Sequence, residues 1–250
     1  MADTKISALT AATIVNPTDS VPIVQGGVNK KANASLLGTS LPFAIVQEAA
    51  VPYLASTTVS ATFPQTATLN NTLLVFITYA SNTCSITTPT GYTQIISQVN
   101  SIVGLKVYIK TSAGTETSVS VSTSGSGPAS AMYVLEVAGT RALDVSSTTT
   151  TSGTPTVWTQ PALTPTTGSM VFTVAGMTNN AGVNTGICGI THAGDSWRDF
   201  TACFAISPSR PLALGILRGP GAGVALVPPQ GYLAGGGILG DSAISTFSIL

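Results

Sequence analysis

Short segments with alternating or continuous apolar residues follow one another along most of the chain. The clearest runs from Leu105 to Lys110, where every second residue is Leu, Val or Ile and the residues between them are Lys or Tyr. Residues 118–122 and 59–63 alternate in the same way. Because successive side chains of a strand point to opposite faces, this period of two predicts half-buried β-strands.

Two segments, 73–79 and 131–137, are almost continuously apolar. Such runs are typical of central strands covered on both faces, and they would also suit strands buried against another chain. Further strands are predicted at 170–175 and 202–206. Turn residues separate these runs, and in Thr88–Gly91 we expect a turn with Pro in its second position and Gly in its fourth.

This pattern predicts an all-β protein, a jelly-roll-like antiparallel β-sandwich preceded by an extended N-terminal arm. The expected division is an attachment arm at 1–43 and a β-sandwich domain at 44–206. Residues 207–250 are rich in Gly, Pro and apolar side chains. We expect this last segment to pack on the sandwich or on a neighbouring subunit.

The chain carries little charge for its length of 250 residues. Charged residues make up 7% of it, with nine basic and nine acidic side chains, and its mean hydropathy is +0.42. Ordinary soluble domains carry about 25% charged residues. Copies of such a chain repel one another weakly, which favours a subunit that buries much of its surface in an assembly. Sparse basic residues also argue against nucleic acid as a partner.

The compartment is predicted from the termini, the apolar segments and the cysteines. No secretory signal is visible at the N-terminus, and the apolar stretch from Arg218 to Asp241 is interrupted by Pro and Gly. No membrane span is therefore predicted. Cys84, Cys188 and Cys203 lack a CxxC spacing and are expected to be buried thiols of a protein made in a reducing cytosol, although a disulfide between two of them stays open.

The segment 188–199 is the one place where chemically active side chains lie close together in sequence. It contains the single histidine of the chain and could form a ligand site, but its spacing matches no established zinc site. A polar loop between strands, with an ion pair to Arg198, is the simpler interpretation. The candidate ligand contacts are His192, Asp195, Trp197 and Arg198.

Catalytic patterns are missing elsewhere in the sequence. It has neither a Gly-x-Ser-x-Gly elbow nor a phosphate-binding loop, and its nine acidic residues are scattered. We therefore expect a protein that is not an enzyme, with no catalytic residues, no cofactor and no bound metal.

The N-terminal residues carry a resemblance to a known family. The segments Lys5–Thr13 and Asp19–Ala32 resemble the leader of tailed-bacteriophage virion structural proteins, although residues 14–17 depart from the usual linker. The resemblance implies attachment of the chain to the particle by its arm. The attachment residues that it implies are Lys5, Ile6, Leu9, Val21, Pro22, Ile23, Val24, Gln25, Lys30 and Lys31.

A second resemblance covers residues 73–145, which look like a β-sandwich module of phage fibres and bacterial surface proteins. Together the two resemblances imply a virion protein that is assembled in the host cytoplasm. Its expected partners are other virion proteins of the capsid or of the tail and baseplate, and further copies of itself in a homotrimer.

The role within the particle is open between two alternatives. A tail fibre or appendage subunit would contact the host, and a host-surface glycan would then be a further partner. A capsid decoration (cement) protein would instead stabilise the head shell. A carbohydrate-binding surface module is the third alternative.

Overall fold

The structure is a computed structural model of the chain, which forms two compact units, Met1–Pro42 and Phe43–Leu250. The boundary predicted from the sequence lies at residues 43/44. The residues that the structure describes are 20–25, 28–33, 44–125, 130–151, 157–159, 162–179, 187–191, 198–200, 212–220, 230–234 and 239–250.

The first unit contains a β-hairpin formed by β1 (Ser20–Gln25) and β2 (Val28–Asn33). The two strands pair antiparallel from Ser20↔Asn33 to Gln25↔Val28. Two glycines stand between them in the sequence, which is the composition that two-residue hairpin connections favour.

The second unit contains sixteen strands in its described residues, and they fall into two series of eight. The first series, called the first module below, consists of β3 (Ile45–Leu54), β4 (Thr58–Thr62), β5 (Thr72–Ala80), β6 (Ser85–Ile86), β7 (Thr93–Asn100), β8 (Val103–Thr111), β9 (Ser118–Ser124) and β10 (Ser130–Val137). The second module consists of β11 (Leu143–Thr151), β12 (Val157–Thr159), β13 (Met170–Asn179), β14 (Ile187–Thr191), β15 (Arg198–Phe200), β16 (Leu212–Pro220), β17 (Gln230–Ala234) and β18 (Leu239–Ile249).

The first module has the winding of a jelly roll. Its first strand pairs with its last, the last with the third, and the third with the sixth, in a five-stranded sheet of order β3-β10-β5-β8-β7. The second, seventh and fourth strands form a three-stranded sheet of order β4-β9-β6. The described sheets are antiparallel and no described residue is helical, so the predicted all-β, sandwich-type fold is confirmed.

The second module repeats this order strand for strand. Its five-stranded sheet is β11-β18-β13-β16-β15 and its three-stranded sheet is β12-β17-β14. Each number is that of the first module plus eight. The chain therefore carries the same eight-stranded winding twice, which the pattern of apolar residues does not predict.

The two five-stranded sheets pack face to face through an apolar core. Phe76 of the first module lies 5.7 Å from Phe172 and 6.2 Å from Phe247 of the second, measured between ring centroids. Separations of about 4.5–7 Å are those at which tilted aromatic pairs attract. The other fully buried members of this core include Leu74, Val103, Leu105, Val107, Val137, Val174 and Ile249.

A second core lies between the five-stranded sheet of the first module and β4-β9-β6. It holds alternate residues of β5 and β10, for example Val75 and Val134, against Val59 and Val121 of the smaller sheet. Because β5 and β10 contribute to both cores, every residue of these strands is buried. The continuous apolar runs at 73–79 and 131–137 are thus central strands covered on both faces, within one chain.

The turn near Pro89 differs from the sequence prediction. The turn near Pro89 is closed by a hydrogen bond from the Tyr92 amide to the Pro89 carbonyl, so Gly91 occupies its third position. Gly91 has a φ of 79°, a conformation that glycine adopts without steric cost. The strand predicted at 202–206 lies outside the described residues.

The C-terminal segment is also more regular than its composition indicated. Glycine and proline residues at 207–250 are typical of loops, yet β16, β17 and β18 are strands of two sheets. β18 lies between β11 and β13, and residues 242–249 are buried within the chain itself.

Candidate functional site

The predicted attachment residues of the arm fall partly on the hairpin. Val21, Pro22, Ile23, Val24 and Gln25 are consecutive residues of β1. The backbone register pairs Ile23 with Lys30 and Pro22 with Lys31, so the basic pair of β2 lies directly beside the apolar centre of β1. The predicted residues Lys5, Ile6 and Leu9 lie outside the described part of the chain.

The candidate ligand contacts belong to the connection between β14 and β15. Arg198 is the first residue of β15 and its backbone pairs with Arg218. His192, Asp195 and Trp197 lie outside the described residues. In the first module the corresponding connection is 87–92, between β6 and β7, and the structure describes it fully.

Tyr92 ends the corresponding connection of the first module and packs against charged neighbours. The Lys110 ammonium lies 5.5 Å from the centroid of its ring and 2.7 Å from a Glu116 carboxylate oxygen. Burial, together with the negative charge of Glu116, raises the pKa of the Tyr92 phenol. The cation–π contact between the neutral Tyr92 ring and the ion-paired Lys110 ammonium stabilises the loop.

The Glu116 carboxylate is held by its own loop. The backbone amides of Ala113 and Thr115 donate to it, and so does the Ser112 hydroxyl, at 2.8 Å. Burial would raise the pKa of this carboxyl, but hydrogen bonds from Lys110 and from the loop outweigh it and lower the pKa to about 2. The group is therefore ionised and fully engaged at neutral pH.

Glu136 is a fully buried carboxylate in the interior strand β10. It accepts hydrogen bonds from the Gln47 and Asn71 side-chain amides and, at 2.8 Å, from the backbone amide of Thr68. Burial disfavours its charged form, whereas these donors favour it more strongly, so its pKa is lowered. The carboxylate ties the edge strand β3 and the turn before β5 to the centre of the sheet.

The second module has a matching clamp with its carboxylate on the edge strand instead. Asp144 of β11 accepts from the Thr166 amide at 2.9 Å and from the Ser248 hydroxyl of β18 at 2.8 Å. Hydrogen bonds from Thr166 and Ser248 lower its pKa. Thr166 occupies the place of Thr68 in the turn before the third strand of its module.

The outward face of β4-β9-β6 carries hydroxyl groups in place of charges. Directly paired Ser60 and Ser120 have their oxygens 2.6 Å apart, and so do Ser85 and Ser124. Alternation with buried Val and Ala residues places every other side chain of β4 and β9 outside. The exposed members of this hydroxyl face are Thr58, Ser60, Thr62, Ser85, Ser118, Ser120, Ser122 and Ser124.

The charged groups of the first module thus hold turns and edges, and its exposed outer sheet offers donors and acceptors without charge. Within the described residues, no three His, Cys, Asp or Glu side chains are grouped to hold a metal ion. Nor does any helix there have the length and apolar character needed to cross a membrane. The sequence alone does not distinguish Glu136 from the other scattered acids, because its hydrogen-bond partners are 65–89 residues away in the chain.

Comparison with protein families, with curated proteins and with solved structures finds no match to this chain. The resemblance of its first 35 or so residues to a phage leader therefore stays a prediction from sequence.

Proposed function

We propose that the chain is a non-enzymatic structural subunit of a tailed-phage particle, attached to it by residues 1–43. The observation that carries the proposal is the separation of Met1–Pro42 from Phe43–Leu250 as its own compact unit. A segment whose strands pair with each other can bind another protein without disturbing the core that the two modules share. The leader-like residues of β1 and β2 lie within that unit.

Two further properties support a structural role. The carboxylates Glu116, Glu136 and Asp144 are each occupied by several donors from turns or edge strands, which stabilises the fold and leaves them little capacity for other chemistry. Jelly rolls are also common in viral capsid proteins, an argument by analogy of fold alone.

The attachment is tested by deleting residues 2–35 and measuring how much protein purified particles contain, by quantitative immunoblot. We expect loss of incorporation with an unchanged melting temperature of the 43–250 unit. The matched point variant is Lys30→Glu/Lys31→Glu, which reverses the charge beside β1 and should also reduce incorporation. Particles that take up the deleted chain at the normal level would disprove anchoring by the arm.

Copy number separates the two roles within the particle. A tail fibre or appendage subunit would be present as a few homotrimers per particle, and a capsid decoration protein in hundreds of copies. Of the two roles, the resemblance to the leader favours the appendage subunit. Counting by quantitative mass spectrometry of purified virions decides between them.

Glycan binding is a second candidate function, favoured by the uncharged hydroxyl face of β4-β9-β6. Hydroxyl groups can donate to and accept from the hydroxyls of a sugar. A glycan array probed with the full chain tests this function, with Ser60→Ala/Ser120→Ala for the face and His192→Ala and Asp195→Ala for the loop. Binding that any of these variants abolishes would support a host-contact role, whereas an array without signal would contradict it.

A further inference from the structure

We infer that residues 43–250 are a fused dimer: two equivalent modules joined about an internal two-fold axis. In this arrangement the five-stranded face of each module is a recognition surface for the other module. The inference concerns how the sandwich is held together and does not depend on the proposed function. The first argument for it is the strand order, which is the same for all eight strands of the two modules.

Equivalence extends to the turn that precedes the third strand of each module. In the first module the Asn71 amide donates to the Thr68 carbonyl, and in the second the Ser169 amide donates to Thr166. The residue inside each turn has a positive φ, 64° at Asn70 and 86° at Gly168. The two turns are thus built alike and lie 98 residues apart.

The hydrogen bond that joins the two ends of each module is equivalent as well. The Ala138 amide after β10 donates to the Ala44 carbonyl before β3 at 2.9 Å, and the Leu250 amide after β18 donates to the Ala142 carbonyl before β11 at 3.0 Å. Ala44 and Ala142 are again 98 residues apart. The turn and the acceptor of the closing hydrogen bond therefore align the two modules with the same offset of 98 residues.

Buried polar groups follow this correspondence too. Ser130 and Ser242 open the matching segments of β10 and β18, and in both the buried hydroxyl lacks a hydrogen-bond partner among the described residues. Their paired strands continue to Val137 and Ile249, which face the third strand at Thr72 and Met170 respectively. Thr72 and Met170 are also 98 residues apart.

At their centre, the contacts between the two faces are reciprocal, as they are about a two-fold axis. The third strand of each module, β5 or β13, lies against the sixth strand of the other, β16 or β8, and the two third strands lie against each other. A surface that meets its own counterpart in this reciprocal way is an isologous interface, the type found in two-fold dimers.

The axis passes beside Thr78 and Gly176, which occupy the same position in β5 and β13. A Cβ at Gly176 would lie 2.5 Å from the Thr78 hydroxyl oxygen, which itself donates to the Gly104 carbonyl. On the axis, equivalent residues meet each other and two side chains compete for one space. One threonine and one glycine satisfy this requirement.

The recognition surface is tested by cutting the full chain between its modules. A site-specific protease sequence inserted between the exposed residues Gly139 and Thr140 allows cleavage after folding. We expect the cut protein to remain one complex of full mass in native mass spectrometry at micromolar concentration. Separation of the halves under these conditions would overturn the inference, provided that the uncut insertion chain keeps the parental melting temperature.

Two lysine variants locate the contact in the cut protein. Gly176→Lys places a charge on the axis and should release the halves after cleavage. Ser120→Lys lies on the hydroxyl face and should leave the complex intact. Dissociation caused equally by both variants would contradict the assignment of the five-stranded faces.

A second measurement does not require cleavage. Gly176→Thr should lower the melting temperature of the full chain by about 5 °C or more, because two threonines then meet on the axis. The exchange Thr78→Gly/Gly176→Thr restores one threonine and one glycine and should recover at least half of that loss. An exchange variant no more stable than Gly176→Thr would refute the two-fold position of this pair.

Discussion

Glu116 closes the loop between β8 and β9 by accepting hydrogen bonds from that loop and from Lys110. Its partners are present only in the folded chain, so its carboxyl has a pKa of about 2 there against an ordinary value of 4.5. A carboxyl whose pKa is lowered on folding stabilises the fold above its unfolded pKa. This stability is lost as the pH falls towards the folded value.

We therefore predict that Glu116→Gln lowers the free energy of unfolding by about 1–2 kcal/mol at pH 7. The difference from the parent chain should shrink as the pH falls from about 4.5 to about 2, where the parent loses the same contribution. Urea unfolding at a series of pH values measures it. Glu48→Gln, at an exposed side chain of β3 that can still accept from the Tyr133 hydroxyl as an amide, serves as the control. A difference that stays constant with pH would contradict the prediction.

Among the strands, β8 depends on a glycine that faces an aromatic ring. Gly104 pairs directly with Tyr79 of β5, and a Cβ at Gly104 would lie 2.2 Å from the Tyr79 ring. The ring covers the glycine and carries the Lys106 ammonium 5.9 Å from its centroid. Glycine at this position costs some strand propensity and allows the ring to lie on the backbone.

Gly104→Ala should destabilise the 43–250 unit by about 1–3 kcal/mol, because the added methyl group must displace the ring. In a Tyr79→Val background the same substitution should cost little. A double-mutant cycle by urea unfolding gives the coupling between the two positions. Equal costs in both backgrounds would show that the ring does not set the requirement for glycine.

The strands of the first module could largely be predicted from the sequence, those of the second only in part. Segments 59–63 and 118–122 alternate because one face is buried, and this signal is local. By contrast, β16 and β17 contain the glycine and proline residues that mark loops elsewhere. Their strand structure depends on pairing with β13 and β12, which is a property of the fold.

The two modules share few residue types at equivalent positions. The buried Glu136 of β10 corresponds to Ser248 of β18, and Phe76 of β5 corresponds to Val174 of β13. What the modules share is backbone geometry, in the turns at Asn70 and Gly168 and in the closing hydrogen bonds. The hydrogen bonds of Glu136 and Asp144 join residues that lie far apart in the chain. No local residue pattern therefore predicts them.

At the scale of the molecule, the two five-stranded sheets share one core, so the modules should unfold together. Leu135→Ala in the first module removes a side chain that is 1% exposed in this core and should cost about 2–5 kcal/mol. Both tryptophans, Trp158 and Trp197, belong to the second module's part of the sequence.

The unfolding transition followed by tryptophan fluorescence should therefore move to lower denaturant concentration in Leu135→Ala, together with the transition followed by circular dichroism. Leu69→Ala, at a side chain that is 60% exposed, should change the free energy of unfolding by no more than about 0.5 kcal/mol. A fluorescence transition left in place by Leu135→Ala would mean that the modules unfold separately.

The doubled module also affects how copies of the chain can match a symmetric partner. Three chains would carry six modules of one winding, three of each sequence. If the two-fold axes of the chains lie perpendicular to the three-fold axis, such a trimer would present three modules in one direction and three in the opposite direction. Both sides of the assembly would then be able to engage the same type of partner, because each polypeptide already holds two nearly equivalent positions.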